Sequence, residues 1–351
     1  MGLLSAYWKK HVLQFVRPSG TSRGVLTEKP SWFLCISDIT QPEVIGTGEC
    51  APIAGLSIDD VSMIETKLDQ VCEHLQQRKD IHTLELSGFP SIRFGLEMAL
   101  LDLKTGGKKL LFPSAFTQGK KAIPINGLIW MGDIPYMQAQ IDDKLNQGFR
   151  CLKIKIGAMN FDQEYTLLRS IRDQYPDIEI RVDANGAFSP KEALDKLECL
   201  AQLKLHSIEQ PIRSGQLNEM AWLCEKSKLP IALDEELIGI HDIHAQYELL
   251  NTIRPQYIVI KPSLVGGFAA ATQWIQVAQD LNIHYWITSA LESNSGLNAI
   301  AQWCATMDNP MIQGLGTGQL YSNNFPSPLC IQHGFLYYIE LRRNNEIYQI
   351  S

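Results

Sequence analysis

The chain has 351 residues, of which 45% are hydrophobic and 20% charged, and a formal net charge of −7. This is the composition of an ordinary globular protein; the acidic balance argues against a nucleic-acid partner, and no run approaches the roughly eighteen apolar residues of a membrane span. The eight cysteines show no zinc spacing, and the chain is too long for a disulfide scaffold, so they are read as reduced thiols of a cytoplasmic protein. The start of the chain lacks the apolar core and cleavage site of a signal peptide, and Ala6 stands where a myristoylation motif wants Ser or Thr.

Residues 1–60 alternate polar and apolar, which predicts antiparallel strands at 7–16, 31–37 and 44–50. Between the first two, Arg17-Pro-Ser-Gly-Thr-Ser-Arg-Gly24 is rich in turn formers and predicts a loop, able to act as a lid that brings Arg23 to an anionic ligand. Helical periodicity follows at 59–77 and 91–104, and Lys104-Thr-Gly-Gly-Lys-Lys ends the second helix. From residue 122 the pattern becomes strand, helix, strand, helix, with strands at 122–130, 151–156, 178–183, 205–209, 231–234, 257–261, 284–289 and 312–315. Each repeat has the length of a βα unit, and eight strands with seven helices predict a parallel barrel. The fold class is therefore α/β: a modified TIM barrel, (β/α)7β, with an α+β capping domain. The expected divisions are a cap at 1–118, a barrel at 119–322, and a tail at 323–351 that returns to the cap.

The second barrel strand reads Cys151-Leu-Lys-Ile-Lys-Ile, so alternation puts Lys153 and Lys155 on one face. Lysine is depleted in strands and rarely buried without a partner. The following strands end in Asp183, Glu209, Asp234 and Lys261, separated by 26, 25 and 27 residues. These steps match the repeat, and should set the four residues at equivalent places on consecutive strands, at the barrel end that carries active sites. Three carboxylates there call for a cation, and oxygen-only ligands suit Mg²⁺, with Mn²⁺ possible. Lys153 and Lys155 would flank the ion on one side and Lys261 on the other, and the metal together with the neighbouring amines should lower a lysine's pKa enough to make a base. A small-molecule carboxylate bound there could lose its α-proton to a lysine, the enediolate being held by the metal and an ammonium group.

The set Lys153-Ile-Lys155, Asp183-Ala-Asn185, Glu209-Gln-Pro211, Asp234-Glu-Glu236 and Lys261-Pro-Ser resembles the enolase superfamily, in its muconate-lactonising subgroup. Within it the chain is similar to the o-succinylbenzoate synthase family, on Ser22-Arg-Gly-Val-Leu26, Gly48-Glu-Cys-Ala-Pro52, Gly55-Leu-Ser57, Ser289-Ala-Leu-Glu-Ser293 and Gly314-Leu-Gly-Thr-Gly318. The resemblance implies the dehydration of 2-succinyl-6-hydroxy-2,4-cyclohexadiene-1-carboxylate (SHCHC) to 2-succinylbenzoate in menaquinone biosynthesis. By that likeness Lys155 takes the α-proton and returns it to the departing hydroxyl, Lys261 stabilises the enediolate from the opposite face, and Lys153 orients the carboxylate. Arg23, Gly55 and Leu56 would close over the succinyl arm, joined by Ser289, Glu292 and Ser293, while Asn185 and Glu235 would hold the metal ligands in place.

The charged strand ends alone also allow a racemase or epimerase with Lys155 and Lys261 as opposed bases. Family epimerases of dipeptides carry Asp-x-Asp after the seventh strand to hold an ammonium group; Ser289-Ala-Leu-Glu292 stands here and argues against an amine-bearing substrate. A barrel that merely binds would lack the complete set of acids and lysines. The sequence leaves the oligomeric state open.

Overall fold

The computed structural model describes residues 3–21 and 24–339, so Arg23 lies outside the described residues. The chain begins with an antiparallel sheet of β1 (Leu4–Thr21), β2 (Gly24–Asp38) and β3 (Gln41–Cys50), followed by α1 (Ile64–Gln76) and α2 (Pro90–Lys104). The loop expected after residue 16 is instead continued strand on both sides. The pairing slips between Gln14, opposite Glu28, and Ser19, opposite Leu26. Pro18 lies within the slip; it has no N–H to give the ladder, and a bulge is where a strand tolerates it.

One face of β2 presents Trp32, Leu34 and Ile36 to Ile64, Leu68, Ile92 and Leu96 of the two helices. The helix–sheet contact is made close by glycine. A Cβ on Gly48 would stand 1.8 Å from the carbonyl oxygen of Gly95, and one on Gly95 would stand 2.4 Å from Cys50 Sγ. Backbone therefore rests on backbone between β3 and α2. The opposite face of β2 carries Phe33, which meets Phe325 edge-on at 5.0 Å.

The barrel opens with β4 (Ile123–Pro124) and β5 (Gly127–Ile129), then alternates: α3 (Ile134–Asn146), β6 (Cys151–Lys155), α4 (Phe161–Gln174), β7 (Glu179–Asp183), α5 (Pro190–Ala201), β8 (Ser207–Glu209), α6 (Leu217–Lys226), β9 (Ile231–Leu233), α7 (Ile243–Ile253), β10 (Tyr257–Ile260), the single turn α8 (Pro262–Val265), α9 (Gly267–Asp280), β11 (His284–Ile287) and α10 (Asn294–Cys304). Strands β5 to β11 form one seven-stranded parallel sheet in chain order. The eighth strand expected at 312–315 is reduced to two parallel bridges, Gln313 to Ile125 and Gly314 to Thr288, and these join the two edges of the sheet. Leu152, Ile154, Ile180, Val182, Ile208, Ile231, Leu233, Ile258 and Ile260 point outward under the helices and are fully buried. That apolar layer is what a parallel strand covered by helices requires.

The inner face is different. Arg181 is 2% exposed, lies 4.4 Å from the Trp286 ring, and donates to Glu179 and to the carbonyl of Ile312. It plugs the lower barrel, so the charged residues above it stand on a filled floor.

The tail divides. Ser322 and Asn323 bond to Gln14 and Val12 of β1. The hairpin of β12 (Leu329–Gln332) and β13 (Phe335–Tyr338), however, pairs with β4 rather than with the cap sheet. The alternation at 329–338 showed strand but could not show which edge was open, and the short β4 supplied one. Among the described residues no helix is long and apolar enough to cross a membrane.

Candidate active site

Strand register assembles the charged ring. Lys155 lies opposite Asp183 on β7, Asp183 opposite Glu209 on β8, and Glu209 opposite Ala232 on β9. Asp234 therefore stands two residues beyond the level of the other acids, a correction to the expected equivalence. Tilted barrel strands are staggered, so equal spacing along the chain does not mean equal height.

The side chains converge all the same. Lys153 Nζ lies 3.0 Å from Asp183 Oδ2 and 2.6 Å from Glu209 Oε2. Lys155 Nζ lies 2.8 Å from the same Asp183 oxygen and donates to Asn185 Oδ1 at 2.8 Å. Asn185 Nδ2 in turn donates to Glu235 Oε1 at 3.0 Å. Across the ring Lys261 bonds to Asp234.

Burial works against every charge here, and the neighbours decide the outcome. For Lys153 the desolvation is outweighed by Asp183, Glu209 and Asp234, which hold its pKa well above the lysine range. Lys261 is likewise raised: Asp234 and Glu209 overcome burial. In both cases the nearby carboxylates outweigh burial. Asp183 is buried, yet Lys153, Lys155 and Lys261 hold it well below the usual carboxylate range. Glu209 is pushed up to about 7, by burial first and Asp183 second, against the pull of Lys153. Burial also raises Asp234, opposed by Lys261.

Among the described residues no three His, Cys, Asp or Glu side chains meet closely enough to ligate an ion as they stand. Each acid of the ring is drawn to an ammonium group. The donor chemistry nonetheless suits a hard divalent cation: three carboxylates, all 2% exposed or less, on three consecutive strands. Both Glu209 oxygens are buried without a hydrogen-bond donor in line, although the Lys153 ammonium lies close. Beside the Lys153 ammonium these oxygens keep unused acceptor capacity, which a divalent cation would take up.

A cavity of about 150 Å³ opens above the ring. Lys153, Lys155, Lys261 and Asn185 line its floor, and Leu26, Ile53 and Leu56 of the cap cover it. Ser289, Ala290 and Leu291 form one wall, where Ser289 Oγ and Thr317 Oγ1 lie 2.6 Å apart. A larger groove of about 660 Å³ runs beside it along α3, but none of the ring's charged residues lines it.

Of the expected substrate contacts, Leu56 and Ser289 line the cavity and Gly55 does not; Gly55 holds the turn between its neighbours at φ +76°. Glu292 and Ser293 also turn away. Glu292 bonds to Ser263 and to the amide of Ala290, and Ser293 caps α10 and donates to Glu49. Both are fully buried in the protein rather than facing the cavity. Glu235 lies behind Asn185, 8% exposed.

Trp130, Thr288 and Thr317 were not anticipated as lining residues. Trp130 carried a signal, an aromatic residue just past a strand end. Gln210 is the other omission. Its backbone is left-handed at φ +41°, and its amide group accepts from Asp234 N and donates to Glu236, tying two strand ends together.

Comparison with known proteins follows the same lines. Residues 136–340 match the family described as enolase C-terminal domain-like, and residues 25–103 match the MenC N-terminal domain. The chain is 49% identical to the o-succinylbenzoate synthase of Desulfotalea psychrophila, over 94% of this chain and 97% of that one. It is 28% identical to the N-succinylamino acid racemase of Thermus thermophilus, over 60% and 55%. Among solved structures, MenC from Desulfotalea psychrophila superposes with a TM-score of 0.85 at 46% identity, covering 95% of this chain and 99% of that chain. The L-Ala-D/L-Glu epimerase of Bacillus subtilis superposes at 0.82 with 21% identity and 96% coverage of both, a likeness of fold.

Proposed function

The chain belongs to the o-succinylbenzoate synthase family of the enolase superfamily, and from that premise we propose how its residues divide the work. The reaction is a dehydration, SHCHC to 2-succinylbenzoate and water, a lyase step of menaquinone biosynthesis. The observation that carries this reading is the identity of nearly half the residues over almost the whole length, joined to a cavity floored by amines on both sides of the carboxylates.

Superfamily members use Mg²⁺, and we assign Asp183, Glu209 and Asp234 as the residues that would hold it. Bound there, it would supply Lewis-acid stabilisation of the negative charge that builds on the substrate carboxylate. Lys155 takes the proton from the carbon α to that carboxylate. The C–H electrons pass into the conjugated system, the C–O bond on the neighbouring carbon breaks, and the hydroxyl leaves as water with the proton that Lys155 returns. One lysine serves both transfers when they occur on one face of the ring. Lys153 orients the substrate carboxylate beside Lys155. Lys261 faces the substrate from the other side and keeps its ammonium, giving a fixed positive charge where negative charge develops. Asn185 and Glu235 keep Lys155 aimed.

Racemisation of N-acylamino acids is a second reading, favoured by Lys155 and Lys261 both lining the cavity. An amine-bearing dipeptide fits less well, because Glu292 is spent on Ser263 and Ala290 and the wall is Ala290 and Leu291. The deciding experiment compares kcat/KM for SHCHC with a panel of N-acylamino acids. A larger value for an N-acylamino acid would make racemisation the principal activity. Cytoplasmic residence is consistent with the eight cysteines, all of them free thiols.

A further inference from the structure

Two carboxylates of the cap are each set on the N-terminus of a barrel helix. Glu97 of α2 accepts from the amides of Phe268, at 2.6 Å, and Ala269, at 3.2 Å, in the first turn of α9. Glu49 of β3 accepts from Ser293 N at 2.9 Å, Ser293 Oγ at 2.5 Å and Gly296 N at 2.9 Å, at the start of α10. Glycine makes room in both places. A Cβ on Gly267 would lie 2.5 Å from Glu97 Oε2, and one on Gly296 would lie 2.9 Å from Glu49 Oε2. An anion at these helix ends meets unsatisfied N–H groups and the positive end of the helix dipole.

The two clamps differ in what lies next to them. Glu97 holds the start of α9, and no residue of that turn lines the substrate cavity. Glu49 holds the end of the segment Ser289–Ser293, whose first three residues form the cavity wall. That segment is fixed at almost every residue. Ser289 meets Thr317, Ala290 N donates to Glu292, and the carbonyl of Leu291 accepts from Tyr321 Oη at 2.7 Å. Leu291 is left-handed at φ +62°, a conformation that a leucine keeps when its surroundings impose it. Lys29, 4% exposed and 3.4 Å from Ser31 Oγ, is buried nearby: burial lowers its pKa, and the charges of Glu49 and Glu292 oppose that lowering.

We propose that Glu49 is a positioning residue for this reaction: from the cap it fixes the Ser289–Leu291 wall and so sets how the substrate is held over Lys155. The inference rests on the reading of this cavity as the SHCHC site. A glutamine at position 49 keeps the shape but turns an N–H group toward N–H donors.

The test measures steady-state kinetics with SHCHC in saturating Mg²⁺, thermal melting, and hydrogen exchange of the 290–296 amides. The variants are Glu49→Gln, Ser293→Ala and, as a control on the other clamp, Glu97→Gln. Misplacing a wall costs binding more than chemistry, so Glu49→Gln should raise KM roughly tenfold with kcat within about threefold. Ser293→Ala should raise KM about threefold, since one of several donors is lost. Exchange at 290–296 should quicken in both, while Glu97→Gln lowers Tm and leaves KM alone. A lower Tm with unchanged KM in Glu49→Gln and Ser293→Ala, or an equal rise of KM in Glu97→Gln, overturns the proposal. Should Glu49→Gln fail to fold, Ser293→Ala decides by the same criterion. Absence of SHCHC turnover in the unaltered protein would count against the substrate, and exchange at 290–296 would then judge Glu49.

Discussion

Lys155 and Asp183 lie opposite one another on neighbouring strands, with Nζ of the one 2.8 Å from Oδ2 of the other. Lys153 reaches the same oxygen at 3.0 Å. Two amines thus share one carboxylate oxygen, and it is to this pair that we assign the base and its supporting charge. The arrangement follows from alternation on β6, which puts Lys153 and Lys155 on one face, and from parallel register, which puts Asp183 beside them.

Removing the base should therefore stop the chemistry and spare the fold. Lys155→Ala is expected to lower kcat for SHCHC by at least about a thousandfold, the upper range of general acid–base contributions. Its Tm should stay close to that of the parent, since Lys153 still pairs with Asp183 and Glu209. Turnover within tenfold of the parent, a bound set by that same range, would take the proton transfer away from Lys155.

Divalent metal should act on stability as well as on rate. A ligand that binds the folded chain at a hundred times its Kd adds about 2.7 kcal/mol, visible as a rise in Tm. We expect Mg²⁺ to raise Tm, a chelator to abolish both the rise and the activity, and Glu209→Gln to lose the rise. Full activity in excess chelator, or the same thermal shift in Glu209→Gln, would remove Glu209 from the metal site.

The cap should be intolerant of a methyl group where backbone rests on backbone. A Cβ on Gly48 would approach the carbonyl oxygen of Gly95 to 1.8 Å, so Gly48→Ala must separate β3 from α2. The cost is expected at about 3 kcal/mol in denaturant unfolding, the upper end for overpacking. Gly88→Ala is the control, since no atom lies within 4 Å of a Cβ there. Equal stability of the two variants would show that the helix shifts freely.

Asp59 makes the stability depend on pH in a stated direction. It caps α2 by accepting from Ser91 N and Oγ, but its other oxygen is buried without a partner, and burial lifts its pKa from 3.8 to about 6. The folded state thus holds its proton to higher pH than the unfolded one. Between 3.8 and about 6 folding binds protons, so stability falls as pH rises through that window and the loss is complete above it. The size is on the order of 2–3 kcal/mol. Relative to Asp59→Asn, the parent's unfolding free energy should fall as pH rises across the window. An identical slope in the two proteins would clear Asp59 of the effect.

The gathering of these acids and lysines at one end of the barrel was legible in residue types and spacing. Steps of 26, 25 and 27 residues from Asp183 to Lys261, and two lysines alternating on one strand, are local properties of a βα repeat and survive without any knowledge of contacts. The α/β class and the strand order followed from the same periodicity. Tertiary structure decided the rest, because those matters depend on partners far along the chain. Glu292 and Ser293 sit in one motif with Ser289, yet only Ser289 faces the cavity; Ser293 is claimed by Glu49, 244 residues earlier. The hairpin of the tail took the edge of β4, and carboxylates from other strands raise the pKa of Lys153 and Lys261 against burial. A side chain's direction within an irregular loop, and the charge it keeps once buried, are set by what packs against it.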